Sequence, residues 1–328
     1  MLNFRQITNV SIFSLVVGFM LPANAIPNFN SITVTTPTGS NDTSDPYTDD
    51  VLVDTLKFED SNGNVSATFE ANDTDGNSFR AVQRLTVTGD RNQTNAEWGD
   101  NDDNNDGNDN PFEKAGFSGQ NQETIDPTIQ DATLLEAFNS RSLSEMADGE
   151  GEPGKSFGYK MIFENGLTDD NNNIVDDVPE IILFERNSND RFDIQLITGG
   201  TFDKPTLTSA LTTDSRSGSN PFTPTGISIN TQEIPTSQEI GVLGLDFNDF
   251  GLSNGETVYG IKINAPDGEG PDLNGTFLAS EDPSRFTSVP SGLATPVPFE
   301  VEGTMGFLAL GGYLWYRRHK KHQRFQDQ

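Results

Sequence analysis

The sequence predicts a mainly β protein, an antiparallel β-sandwich of jelly-roll type carrying one short helix. Three observations lead there. Short runs rich in β-branched and aromatic residues recur along the chain, and turn signals built from Asn, Asp and Gly separate them. Only one stretch repeats its apolar residues at helical spacing.

The first expected strands are Ser31–Thr36, Val51–Phe58, Val65–Glu70 and Phe79–Thr88. Asp60–Asn64 (DSNGN) and Asn72–Asn77 (NDTDGN) lie between the last three as turns, so 51–88 reads as an antiparallel run. Further strands are expected at Gly158–Glu164, Glu180–Arg186, Phe192–Thr198, Gly226–Asn230, Gly241–Phe247 and Thr257–Ile263, a spacing that suits two packed sheets. In Asp131–Glu145, Leu134, Leu135, Phe138 and Leu143 recur at roughly helical spacing, with Asp126 or Thr128 as the cap. Asn92–Gln122 is dominated by Asn, Asp and Gly and is expected to be a long loop. Residues 203–225 and 264–299, rich in Pro, Ser, Thr and Gly, are expected to be loop and C-terminal linker.

Composition excludes several chemistries. The 328-residue chain has no cysteine, so disulfides, thiolate nucleophiles and cysteine-based zinc sites are ruled out. Its two histidines, His319 and His322, sit in the basic tail, which leaves the rest without a Ser-His-Asp or Cys-His site or a histidine metal centre. A formal charge of −30 repels phosphate backbones, so no nucleic-acid partner is expected; such a surface favours divalent cations.

The two ends differ from the body. Met1–Ala25 has Arg5 near its start, an apolar run from Val10 to Leu21 and the ending Ala23-Asn24-Ala25. These are the parts of a secretory signal, with signal peptidase expected to cut after Ala25, its Ala23 and Ala25 being the small residues at the site. At the other end, Gly303–Tyr316 is apolar and precedes Arg317, Arg318, Lys320, Lys321 and Arg324. As a helix, this segment covers ~21 Å at ~1.5 Å per residue, short of a ~30 Å hydrocarbon core. A permanent anchor and a transient sorting signal fit it equally well, with the basic cluster staying cytoplasmic. The expected organisation is a signal peptide at 1–25, a β-sandwich domain at 26–289, a linker and motif at 290–299, and a hydrophobic, basic segment at 300–328.

The string Pro296-Val297-Pro298-Phe299-Glu300, followed by a short apolar stretch and a basic end, resembles the C-terminal sorting signals of exosortase-dependent bacterial surface proteins. Their usual motif is Pro-Glu-Pro, and Pro298-Phe299-Glu300 looks like the variant of many cyanobacterial surface proteins. The resemblance covers roughly the last 33 residues. It implies recognition by an exosortase-like membrane protease, membrane attachment through the C-terminal segment for at least a time, and delivery to the cell surface or extracellular matrix. Val178–Asn187 and Val258-Tyr259-Gly260 look like body segments of such proteins.

Two acidic stretches are candidate calcium loops. Asp102–Glu113 (DDNNDGNDNPFE) fits D-x-[DN]-x-[DN]-G-x5-E, with oxygen donors Asp102, Asn104, Asp106, Asn110 and Glu113, the Asn108 carbonyl, and Gly107 at the sharp turn. Asp169–Glu180 (DDNNNIVDDVPE) repeats the offsets through Asp169, Asn171, Asn173, Asp177 and Glu180, with the Val175 carbonyl, but Ile174 replaces the turn glycine. Ca²⁺ takes six to eight hard oxygens, which alternate residues of a tight loop can supply. A solvated acidic connector is the competing reading of both. The sequence leads to the expectation of an exported, non-enzymatic surface protein with structural Ca²⁺. Its rivals are an adhesin-like module that binds surface glycans and a carboxylate-dependent glycoside hydrolase.

Overall fold

A computed structural model describes residues 31–35, 53–59, 64–70, 78–98, 127–139, 143, 145–149, 151–169, 178–214, 221–229 and 238–294. In chain order its strands are β1 (Ser31–Thr35), β2 (Thr55–Glu59), β3 (Val65–Glu70), β4 (Phe79–Arg80), β5 (Val82–Gly89) and β6 (Thr94–Trp98). After helix α1 (Pro127–Asn139) come β7 (Glu145–Gly149), β8 (Phe157–Thr168), β9 (Ile181–Arg186), β10 (Arg191–Gly200), β11 (Pro205–Leu207) and β12 (Leu211–Asp214). The last are β13 (Thr223–Ile229), β14 (Gln238–Leu245), β15 (Thr257–Ala265), β16 (Leu273–Ala279) and β17 (Phe286–Thr287).

All pairings are antiparallel, and they make three sheets. A small sheet has the order β1-β2-β3. A middle sheet runs β13-β14-β9-β16-β7-β6, with β4 also on β16. An outer sheet runs β11-β10-β15-β8-β17, with β12 on β10 and β5 on β8. From β8 to β10, and again from β14 to β17, successive strands alternate between the middle and outer sheets.

Strand β9 shows why the sheets stack. Its side chains alternate between two cores: Ile181 and Leu183 join Tyr159, Phe163, Phe192 and Ile194 of the outer sheet, while Ile182 and Phe184 join Phe58 and Phe69 of the small sheet. A strand covered on both faces needs apolar residues at successive positions, which is what Ile181–Phe184 supplies. The middle sheet is therefore sandwiched. On its small-sheet side, Phe58, Phe69, Phe79, Phe277 and Phe184 form a chain of tilted and edge-to-face rings with centroids 5.7–6.3 Å apart. Fully burying each such ring contributes roughly 1.5–3 kcal/mol.

The outer sheet has only one continuous core face. Phe157, Tyr159, Met161 and Phe163 of β8 point inward, while Lys160 stands half-buried opposite Lys262 on the other face. Helix α1 closes one edge of the two larger sheets. It inserts Leu134 and Phe138 into the core, and Asp131 accepts from the Val87 N–H of β5 at 3.0 Å, capping part of an edge that would otherwise be open. On the far face, Ile162, Ile197 and Phe202 receive buried Leu293. There the Gly292 carbonyl accepts from Phe202 N, and the Leu293 carbonyl accepts from Arg84.

The mainly antiparallel β expectation with one short helix is met, and each of the ten expected strands overlaps an observed one. Five details differ. The small sheet adds a third layer to the expected two. Residues 264–299 contain the fully buried strand β16, which neither face of the middle sheet leaves to solvent. The 203–225 stretch carries β11, β12 and the start of β13, and β6 begins inside the expected 92–122 loop. The helix spans 127–139 rather than 131–145, since Pro127 opens it and Glu145 already belongs to β7.

Candidate functional site

Strands β8 and β9 lie in different sheets, and their connector begins and ends on the candidate ligands Asp169 and Glu180. Asp169 follows the last residue of β8, and its N–H donates to the Glu256 carbonyl at 3.0 Å. Its side chain is only 8 % exposed, and Oδ2 has no hydrogen-bond partner. Glu180 precedes β9 and is also buried. Its Oε2 accepts from Phe247 N at 3.0 Å and its Oε1 from Arg285 Nη2 at 3.2 Å. Burial, and then the nearby Asp246 carboxylate, push Glu180 up to about 8.

The sequence positions these groups through the turn after β14. Asp246 caps the short helical turn Phe247–Phe250: its Oδ1 accepts from Asn248 N, and Asp249 Oδ2 accepts from Asp246 N. Burial raises Asp249 to about 6. Arg285, in the turn before β17, donates through Nε to the Thr168 carbonyl as well as through Nη2 to Glu180. Arg285 thus ties Glu180, which lies near Asp246, to the end of β8 just before Asp169. The raised Glu180 and Asp249 carboxyls can take up protons near neutral pH.

Of the second candidate loop, the structure describes Asp169 and Glu180, while Asn171, Asn173, Val175 and Asp177 lie outside the described residues. All of Asp102, Asn104, Asp106, Asn108, Asn110 and Glu113 lie outside them too, as do Ala23, Ala25, Pro298, Phe299 and Glu300. Among the described residues no three acidic or histidine side chains form a ready-made metal cluster, and no helix is long and apolar enough to cross a membrane.

A second buried charge cluster, at the other end of β9, was not anticipated. Arg186 is 0 % exposed, with Nη2 2.8 Å from Asp272 Oδ2 and 3.4 Å from Asp148 Oδ1. Asp272 Oδ1 also accepts from Gly149 N, and Asp190 Oδ1 accepts from Gly270 N. Beside them Glu185 is 0 % exposed, with the Ser188 and Asn189 backbone amides facing its carboxylate. Burial first, then Asp190 and Asp272, hold its carboxyl well above the usual range, against the pull of the Ser188 and Asn189 backbone amides. The signal available in the sequence was the Glu185-Arg186 pair ending an apolar run, where both faces of the strand are covered.

Comparison with protein-family models, curated proteins and solved structures gave no match.

Proposed function

We propose that this chain is an exported, non-enzymatic β-layered protein of the cell surface or extracellular matrix, with Ca²⁺ held in its acidic connectors. Signal peptidase releases Ile26, and an exosortase-like membrane protease acts at Pro298-Phe299-Glu300. The alternation of strands between the two larger sheets supports a jelly-roll-like sandwich, with the small sheet as an added layer.

The observation that supports the reading is how close the described body comes to the sorting string. Leu293 is buried on the outer sheet and Gly292 is hydrogen-bonded to Phe202, while the sorting string starts at Pro296. The described body thus reaches Ala294, close to the motif, which suits cleavage just beyond it. Calcium has a separate support. Asp169 brings an unpartnered, buried carboxylate oxygen to the mouth of a connector that also contains Asn171, Asn173 and Asp177. Because Arg285 and Phe247 N already engage both oxygens of Glu180, an ion there relies first on Asp169 and the connector itself.

Mass spectrometry of protein from the native host tests processing. The expected mature form begins at Ile26 and lacks the basic tail. Retention of Met1 would overturn export, and Gln328 on the surface form would make the tail a permanent anchor.

A further inference from the structure

The far face of the outer sheet carries a row of polar side chains at one register level. Thr86 of β5 pairs with Lys160 of β8, Lys160 with Lys262 of β15, and Lys262 with Gln195 of β10. Strands lie about 4.8 Å apart, so the row spans roughly 14 Å. The next level on the same face sets Thr88, Asn264 and Asp193 beside it. All of these side chains are half-buried. The seat of Leu293 and Phe202 bounds the row on its other side.

Two lysines directly opposite one another on adjacent strands repel. Lys160 donates to the Phe202 carbonyl at 2.6 Å and lies 4.1 Å from the centroid of its ring. Lys262 makes no side-chain hydrogen bond or ion pair among the described residues. The Arg84 guanidinium also lies over the Phe202 ring, 3.4 Å from its centroid. Burial first holds Lys160 below the usual lysine range; Asp203 opposes that, and Arg84 and Lys262 add to it. Of the nearby carboxylates, Asp131 is paired with Arg91 at 2.7 Å, Asp193 accepts from the Thr212 hydroxyl at 2.5 Å, and Asp203 is exposed at the rim. Positive charge is thus gathered on one face of a chain whose formal charge is −30.

The surroundings decide what kind of anion fits. The Thr88 hydroxyl and the Asn264 and Gln195 amides offer hydrogen bonds to a hydroxylated ligand. No large apolar side chain is exposed on this face; the one exposed among the described residues, Val65, belongs to β3 of the small sheet. A protein partner would therefore lack an apolar anchor. A nucleic acid, charged at every step, would run from the lysine pair into the acidic surface around it. A polysaccharide with more widely spaced carboxylates can set one of them over the lysines. Acidic groups farther off than a Debye length of ~8 Å are then largely screened.

We propose that Lys160 and Lys262, with the row they stand in, form a binding surface for an acidic polysaccharide. A sugar carboxylate bridges the two ammoniums, and Gln195 and Asn264 bond neighbouring hydroxyls. The ligand supplies the negative charge between β8 and β15. This gives the surface protein a matrix partner, and it rests on the surface reading only for where the two meet.

The test is calorimetric titration of alginate, a polymer of uronic acids, into the full chain in EDTA, where no divalent cation can bridge the polymer to acidic loops. Dextran and single-stranded DNA serve as neutral and phosphate-bearing comparisons. The wild type is expected to bind alginate with an affinity that falls as salt rises, and to bind neither comparison. Lys262→Glu is expected to weaken binding by roughly tenfold or more, as loss of charge-assisted hydrogen bonds does. Lys57→Glu, the same charge change at an exposed position of β2, is expected to leave binding unchanged. Lys262→Gln supplies a second probe should Lys262→Glu not fold. No alginate binding by the wild type, equal losses in the Lys262 and Lys57 variants, or DNA binding as tight as that of alginate would overturn the site. All of this is read on purified protein whatever mass spectrometry shows of processing, so failure here and failure of the surface reading are told apart.

Discussion

Arg285 Nη2 donates to Glu180 Oε1 at 3.2 Å while its Nε donates to the Thr168 carbonyl, so one side chain from the turn before β17 ties the end of β8 to the start of β9. Glu180 is buried and Arg285 partly so, with side chains 5 % and 13 % exposed. Above pH 8, where Glu180 is ionised, removing Arg285 leaves that charge without compensation. Arg285→Ala is expected to destabilise the chain by about 3 kcal/mol, read as a lower urea midpoint. Glu180→Gln/Arg285→Ala should recover part of the loss, and an Arg285→Ala midpoint equal to wild type would show that the pair is dispensable.

Acidity should stabilise this protein over a range where many proteins gain nothing from it. Glu180 is raised to about 8 and Asp249 to about 6, and Glu185 is also raised well above the usual range. Each folded value exceeds the unfolded one of roughly 4, so between them the native chain binds more protons than the unfolded chain. That stabilisation is fully present below about pH 4 and is lost as pH rises through 6 and then 8. In EDTA the Tm is expected to fall from pH 5 to pH 8.5, with a shallower slope in Glu180→Gln. A flat profile would mean these carboxyls titrate as exposed ones do.

Calcium should act in the opposite sense. At pH 8 an ion at Asp169 offsets carboxylate repulsion, and stabilisation follows RT ln(1 + [L]/Kd), about 2.7 kcal/mol at a hundredfold excess. Binding in the ~0.1–1 mM range is usual for extracellular modules. Thermal unfolding at matched ionic strength is expected to show a Ca²⁺ shift that Mg²⁺ reproduces poorly and Asp169→Ala reduces. Equal shifts from both cations in wild type and mutant would mean screening of an acidic surface.

Phe277 joins two ring contacts, with Phe79 at 5.7 Å and Phe184 at 6.3 Å, in the core under the small sheet. Phe277→Ala is expected to cost about 3–5 kcal/mol by urea unfolding, as large-to-small changes in a packed core do. A loss below 1 kcal/mol would show that the small sheet collapses easily onto the gap.

The strands that could be read in the sequence are those whose own pattern matches their setting. In β8, Tyr159, Met161 and Phe163 alternate with Gly158, Lys160 and Ile162, as a strand with one main core face requires. Strand β9 was readable as an unbroken apolar run. Strand β16 was not, because Asn274-Gly275 reads locally as a turn, and only tertiary burial between β9 and β7 makes it a strand. The acidic corner was half legible. Asp169 and Glu180 were found by ligand spacing, but Arg285 and Asp246 arrive from distant turns that no local pattern connects. Glu185 was missed because a charged residue closing an apolar strand normally marks its exit to solvent, and here the Asn187–Asp190 turn folds back over it.

The seating of Leu293 on the outer sheet also sets the order in which the body would yield to traction from its C-terminal end. Load entering at Ala294 first meets the Leu293–Phe202 contact and the Gly292 hydrogen bond. It passes next to β17, which holds β8 through only two residue pairs, Phe286–Leu167 and Thr287–Gly166. Both are peeled one link at a time. Behind them stands β16, enclosed by β9 and β7 and covered on both faces, which has to break its ladder collectively. The described body therefore closes on a short compliant segment backed by a stiff clamp, so a brief tug is absorbed at the surface before it reaches the sheet that joins the layers.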